Sequence, residues 1–210
     1  GHGYIDAHYP HRTVEVKGLA EKKVRADQAQ WQIRYKVVNQ KLSGLYNKLE
    51  SSETIIKNFL KTQGFVETEI TVEPQNINDN QANSYNANNN APRYTADGSI
   101  AVFTINVDKI LVSSQKVGTL VKNGVVITGT NTQFRYTKLN SIKPEMLLTA
   151  TTNATKAGQT FAKQSKSKLG PIKTARQGLF TITDLNSNYN SNNDVNKKVR
   201  VVSTITFVLK

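Results

Sequence analysis

The chain is expected to fold as an α+β protein, with mostly antiparallel sheet layers packed by helices and built from repeated helix–glycine–strand units. Three observations predict this. Residues 150–165 carry small and apolar side chains (Ala150, Ala154, Ala157, Gly158, Phe161, Ala162, Ser165) three and four apart, one stripe of a helix able to lie close to a sheet, with Phe161 as its bulky knob. Leu169-Gly170-Pro171 then reads as the stop, glycine supplying a left-handed residue and proline barring continuation. The same sign, a helical stretch ending at glycine before a β-rich run, recurs at Gly64 and Gly124, a repetition that points to two related halves.

Taken in order, residues 13–17 (TVEVK) alternate apolar and polar and read as a strand stopped at Gly18. Residues 28–38 form a longer strand whose buried face is Ala29, Trp31, Ile33, Tyr35 and Val37 at period two. Residues 43–63 turn helical through Leu45, Leu49, Ile55 or Ile56, Phe59 and Leu60, and residues 65–73 are again a strand. From Pro74 asparagine dominates, so residues 74–97 are expected as a long loop held down by Tyr85 and Tyr94. Residues 99–111 are apolar on both faces, as in a central strand. A short helix over 113–122 and a strand over 125–137 follow. The long helix is expected to start near Pro144-Glu145, proline being favoured in a first turn and an acid stabilised there. Strands over 172–183 and 198–209, joined by an asparagine-rich loop at 185–196, are expected to pair antiparallel. The last of these, rich in β-branched residues, is expected inside the sheet or at a subunit contact.

With 210 residues, the chain suits one domain spanning 13–210 with two similar halves, after a flexible tail or stalk at 1–12. The lack of cysteine excludes disulfides and thiolate metal sites. No apolar run approaches the ~20 residues of a membrane-spanning helix. The chain opens on Gly1 rather than methionine, and we expect an export signal or membrane anchor to precede it in the precursor. Lys and Arg number 28 against 15 Asp and Glu, a net charge of +13, which favours acidic partners. Basic clusters fall at Lys22, Lys23 and Arg25, at Lys163, Lys166, Lys168, Lys173 and Arg176, and at Lys197, Lys198 and Arg200. The middle cluster is the candidate anion-contact surface.

The opening stretch from Arg12 to Ile33, with Val16, Gly18, Val24, Asp27 and Ala29, resembles the start of the SIMPL family of bacterial envelope proteins, in which a strand ending Val-x-Gly leads through a valine and Asp-x-Ala into a long second strand. The alanines Ala150, Ala154, Ala157 and Ala162 ahead of Leu169-Gly170, and the Gly64 step into a strand, are similar to the same family in order and spacing. At residues 164–168 the chain departs from it, with a polar, lysine-rich stretch where the family often has a further glycine. The resemblance implies an exported protein, periplasmic or membrane-tethered, without established enzymatic chemistry. A non-enzymatic role in binding or homo-oligomeric assembly is therefore expected, with no cofactor. Membrane association is expected only through the segment preceding the chain. The alternative is a basic module that binds an anionic envelope component, polymer or lipid, with nucleic acid disfavoured.

Chemical constellations are few. His2, His8 and His11 share the tail, where nothing orients them as metal ligands, so no metal site is assigned. Asp97, Asp108, Asp184 and Asp194 sit beside turns, where aspartate bonds its own backbone, and are read as turn residues rather than acid–base pairs. No nucleophile elbow, phosphate-cradling loop or His-Glu-x-x-His pair occurs, and no catalytic residue is assigned. Phe134 and Tyr136 alternate with Arg135, as in an ordinary half-buried strand rather than a nucleic-acid platform. The sequon at Asn153 falls inside the expected helix and is taken as chance.

Overall fold

The computed structural model describes residues 12–82, 91–187 and 192–210. In chain order the elements are β1 (Thr13–Arg25), β2 (Gln28–Asn39), α1 (Leu42–Thr62), β3 (Ile70–Val72), β4 (Asn76–Asp79), β5 (Tyr94–Thr104), α2 (Val107–Ser114), α3 (Gly118–Lys122), β6 (Val126–Arg135), α4 (Leu139–Gln164), β7 (Leu169–Gln177), β8 (Thr181–Asp184) and β9 (Asn196–Leu209). The α+β expectation holds, with four helices and two antiparallel sheets among the described residues. The chain divides into two compact units. One combines β1 with Tyr136–Lys210, and the other is Ala26–Arg135.

In the first unit, β9 is flanked by β1 on one edge and by β7 and β8 on the other. The β1–β9 ladder runs unbroken from Thr13↔Val208 to Arg25↔Asn196. The β-prone terminal strand is thus interior to its sheet, as its sequence implies. Helix α4 packs on this sheet through Ile142, Met146, Ala150, Ala154, Gly158 and Ala162, all spaced by four. Two expectations fail on that helix. Phe161 is 49% exposed, and Ala157 is exposed as well, because a pure four-residue spacing is narrower than the stripe read from sequence. The bulk comes instead from Ile142 and Met146, which pack with Ala20, Val199 and Val201. The helix also begins five residues before Pro144, which lies inside it.

Gly18 does not stop β1; the strand passes through it. A β-carbon there would lie 1.9 Å from the Ala150 carbonyl oxygen and 2.4 Å from the Ala154 amide nitrogen. Glycine at 18 and alanines at 150 and 154 together allow helix and strand backbones to meet.

Three helices end in one motif. At α1, the Phe65 N–H donates to the Leu60 carbonyl and the Gly64 N–H to Lys61, with Gly64 at φ +100°. At α3, Val125 and Gly124 donate to Leu120 and Val121, with Gly124 at φ +93°. These are Schellman caps, each closed by a buried apolar pair, Phe65 with Leu60 and Val125 with Leu120. At α4 the equivalent bonds run from Ser167 to Ala162 and from Lys166 to Lys163, and the left-handed residue is Lys166 at φ 55°. Gly170 is therefore not the cap. It sits in β7, where a β-carbon would come within 2.6 Å of the Val208 carbonyl oxygen. The helix ends at Gly64 and Gly124 are as read, although only Gly124 leads directly into a strand of the expected length, and the third helix end uses lysine.

The second unit is a sheet of order β3-β5-β2-β6, with β4 also paired to β5. Trp31, Ile33 and Tyr35 of β2 are fully buried, as period two predicts, and Trp31 meets Phe59 of α1 edge to face. Residues 65–73 contain a single 3-10 turn (Glu67–Glu69) and the three-residue β3 rather than one strand. Residues 74–97 are not a loop throughout, since β4 pairs with the start of β5 from Asn76↔Asp97 to Asp79↔Tyr94. Tyr94 carries the Arg93 guanidinium over its ring, whereas Tyr85 lies outside the described residues. β5 is central, as expected, but it ends at Thr104. Residues 107–111 belong to α2, because the Asn106 side chain accepts from the Lys109 N–H and caps a helix there. The strand expected over 172–183 is two, β7 and β8.

Candidate functional site: the polar face of the second sheet

With Trp31, Ile33 and Tyr35 turned inward, strand alternation turns Gln28, Gln30, Gln32, Arg34 and Lys36 of β2 outward. Register places Gln30 between Phe103 and Gln133, Gln32 between Ala101 and Asn131, and Arg34 between Ser99 and Gly129. Carboxamides therefore recur in adjacent rows on two strands.

These groups are linked to one another. The Arg34 guanidinium donates to Gln32 Oε1 at 2.9 Å and to Asn131 Oδ1 at 3.3 Å. Gln32 Nε2 donates to Glu73 Oε1 at 2.9 Å, and the Ser99 hydroxyl donates to the same oxygen at 2.6 Å. Gly129 makes room for the arginine, since a β-carbon there would lie 2.9 Å from Nη2. The Ser99 hydroxyl, then Gln32, and to a lesser degree the Arg34 charge hold the Glu73 carboxyl below the usual carboxylate range, against an opposing effect of burial that is larger than that of Arg34.

At one end of this face lies a cavity of about 380 Å³, lined by Gln28, Gln30, Gln133, Arg135, Phe103 and Glu69 among others. Phe103 is 51% exposed and Ile105, at the rim, is 81% exposed. Burial raises the Glu69 pKa, but the Thr104 hydroxyl, the Val66 N–H and the Lys109 charge outweigh it, and the carboxyl is lowered overall. The arrangement offers fixed donors and acceptors beside an aromatic ring, which is recognition chemistry. A groove of about 390 Å³ elsewhere in the unit carries Lys36 and Lys48, but the Lys48 ammonium already donates to the Val38 carbonyl.

The sequence-predicted anion surface lies in the first unit. Lys163 is in the last turn of α4, Lys166 and Lys168 are in the turn that follows, and Lys173 and Arg176 are on β7. All five are exposed. Lys166 is bound into the helix cap by its backbone, and Lys168 exchanges two backbone hydrogen bonds with Lys210.

Lys197, in the basic cluster with Lys198 and Arg200, is only 2% exposed, its ammonium paired with Asp184. Asp184 also accepts from the Asn193 N–H. Asp194 does act as a turn residue, accepting from the Asn196 N–H, while Asp97 lies within β5 and Asp108 in the first turn of α2. The Asn153 amide donates to the Leu19 carbonyl and ties α4 to β1. His2, His8 and His11 lie outside the described residues. Among the described residues, no group of three His, Asp or Glu side chains is placed to hold a metal ion. No helix among them is long and apolar enough to cross a membrane.

The amide face went unread in the sequence, although Gln28, Gln30 and Gln32 stand at period two opposite the apolar face. Asn131, Gln133 and Glu73 join it only through strand register.

Among solved structures, the chain is similar to a hydrolase from Listeria innocua at 8% identity and a TM-score of 0.25, covering 100% of this chain and 97% of that one. It is similar to the EcmrR C-terminal domain at 12% identity and a TM-score of 0.21, covering 92% and 98%. An uncharacterized conserved protein from Listeria innocua stands at 10% identity and a TM-score of 0.23, covering 100% and 98%. At such scores these likenesses carry no argument about fold or activity. No curated protein is similar enough to match. The model of the SIMPL family, described as a protein of unknown function (DUF541), matches residues 14–207, from the second residue of β1 to near the end of β9. The chain belongs to the SIMPL family.

Proposed function

We propose that this is a non-enzymatic protein of the bacterial cell envelope that acts by binding and self-assembly, a second copy joining through an open strand edge. One observation carries the assembly reading. β6 is the outer strand of its sheet, and from Val126 to Phe134 it holds no charged residue and no proline. Such an edge exposes unpaired backbone groups and templates pairing. The outer strand β7, by contrast, carries Pro171, Lys173 and Arg176 and two register shifts, all of which discourage pairing. In a chain of net charge +13, an uncharged edge lets two copies approach with least repulsion. Envelope location rests on the family resemblance.

Light scattering of the purified chain tests assembly. We expect a concentration-dependent oligomer that Thr130→Lys, an exposed change on β6, shifts toward monomer. A monomer at high concentration defeats the reading. Fractionation of the producing cells tests location, and recovery in the cytoplasm defeats that part.

The second reading is a basic module for anionic polymers or lipids, favoured by the exposure of Lys163, Lys166, Lys168, Lys173 and Arg176 on consecutive segments. Binding to polyphosphate should then weaken steeply with salt and fall in a Lys163→Ala/Lys168→Ala variant. Salt-independent binding, or none, discards it.

A further inference from the structure

We propose that the polar face of the second sheet, with the cavity at its end, is a binding site for a neutral oligosaccharide. Four features point to this ligand class. The outward groups Gln28, Gln30 and Gln133 each present both a donor and an acceptor, the balance needed for hydroxyl groups that do both, while Gln32 and Asn131 are tied to Arg34 beside them. They stand in successive rows of the sheet, a spacing suited to an extended chain of repeating units rather than to one small molecule. Phe103 offers a half-exposed ring beside Gln30, and Ile105 lies next to it; a ring face packs on the C–H face of a sugar, so water is excluded on one side while hydroxyls are bonded on the other.

The fourth feature is charge. In a protein of net charge +13, this face sets Arg34, Lys36 and Arg135, with Lys109 acting on Glu69, against Glu69, Glu73 and Asp97, so its local excess of positive charge is small. A surface built for an anionic ligand would not place three carboxylates there. The network joining Arg34, Gln32, Asn131, Glu73 and Ser99 holds its side chains in place before any ligand arrives, which lowers the ordering cost of binding. The site is independent of the β6 edge pairing proposed above, because the ligand uses side chains on the sheet face rather than the open backbone.

The probes are chitotetraose and cellotetraose, titrated into the full chain and followed by calorimetry and by amide chemical shifts. We expect at least one to bind, with shifts centred on residues 28–32, 103–105 and 131–135, and with affinity unchanged between low and high salt. Phe103→Ala should weaken binding at least tenfold, and Gln30→Ala/Gln133→Ala at least fivefold. All three side chains are at least partly exposed, so circular dichroism should report an unchanged fold. Lys163→Ala/Lys168→Ala should leave the affinity unaltered. The proposal is overturned by absence of binding at millimolar sugar, by shifts confined to the first unit, or by affinity that collapses with salt. It is equally overturned if Phe103→Ala changes the oligomeric state and leaves sugar binding intact.

Discussion

Gly18 of β1 and Ala150 of α4 are in backbone contact, with room for no β-carbon at position 18, since it would sit 1.9 Å from the Ala150 carbonyl oxygen. Around this point the four-spaced stripe of α4 closes on the sheet. Gly18→Ala should therefore lower the unfolding free energy by about 3 kcal/mol or prevent folding, since the clash is with backbone that cannot rotate away. Chemical denaturation of the full chain measures this. A loss below about 1 kcal/mol would mean that α4 is free to shift outward.

Lys197 and Asp184 form a buried ion pair at the β8–β9 junction. Removing one partner leaves the other charge buried without this counter-charge, so Lys197→Met and Asp184→Asn should each cost about 3–5 kcal/mol. The double variant Lys197→Met/Asp184→Asn should recover most of that loss. A double-mutant cycle from denaturation midpoints checks this, and additive losses would show that the pair is not coupled.

Lys166 holds the left-handed position of the α4 cap that glycine holds in α1 and α3. A lysine there bears the steric penalty of its β-carbon, so Lys166→Gly should raise stability by about 1 kcal/mol. The thermal midpoint is the readout. The same change removes a charge from the predicted anion surface, so stability and polyphosphate binding should move in opposite directions if that reading holds.

Tyr35 is fully buried, and its hydroxyl completes no hydrogen bond, as is also true of the Trp31 indole N–H. Burial first, and then the Glu53 charge, raises the phenol pKa; nearby Gln75 opposes this without closing a bond of good geometry. Gly98 vacates the space beside the ring, since a β-carbon there would lie 2.3 Å from Cζ. Tyr35→Phe should then leave stability unchanged or raise it by up to about 1 kcal/mol, because an unsatisfied group is removed without loss of packing. A clear loss in a denaturation series would reveal a partner for the hydroxyl.

The Glu73 carboxyl is lowered in the folded protein, chiefly by the Ser99 hydroxyl. A depressed acid stabilises the fold at pH above its unfolded value of about 4.3, and that contribution is lost as the pH falls through the folded value. The effect is small because the site is only half-buried and solvent screens it. Ser99→Ala should lower stability slightly above about pH 4.3 and leave it unchanged at lower pH, so that the acid limb of the stability–pH curve flattens. An unaltered acid limb would remove Glu73 from the account.

Local pattern carried much of the fold. Trp31, Ile33 and Tyr35 at period two identify the buried face of β2, and the glycines at 64 and 124 mark real helix ends, because strand alternation and left-handed caps depend on a few neighbouring residues. Errors cluster where distant contacts compete with local preference. Gly18 and Gly170 resemble punctuation in one dimension, yet each serves a close approach to backbone far away in sequence. Phe161 looks like core until the sheet selects the narrower stripe from Ile142 to Ala162.

The amino-acid order by itself determined the α+β class, the family resemblance and the absence of thiol chemistry, since all three follow from residue type and short spacing. Tertiary structure alone decided that Lys197 is buried against Asp184, that α4 is capped by a lysine, and that amides from β2 and β6 share one face with Phe103 and Glu73. The ion pair and the shared face depend on strand register and burial, which join residues many positions apart; the period-two glutamines of β2 show in the chain, but their partners on other strands do not, and the lysine cap lacks the glycine that marks the other two helix ends.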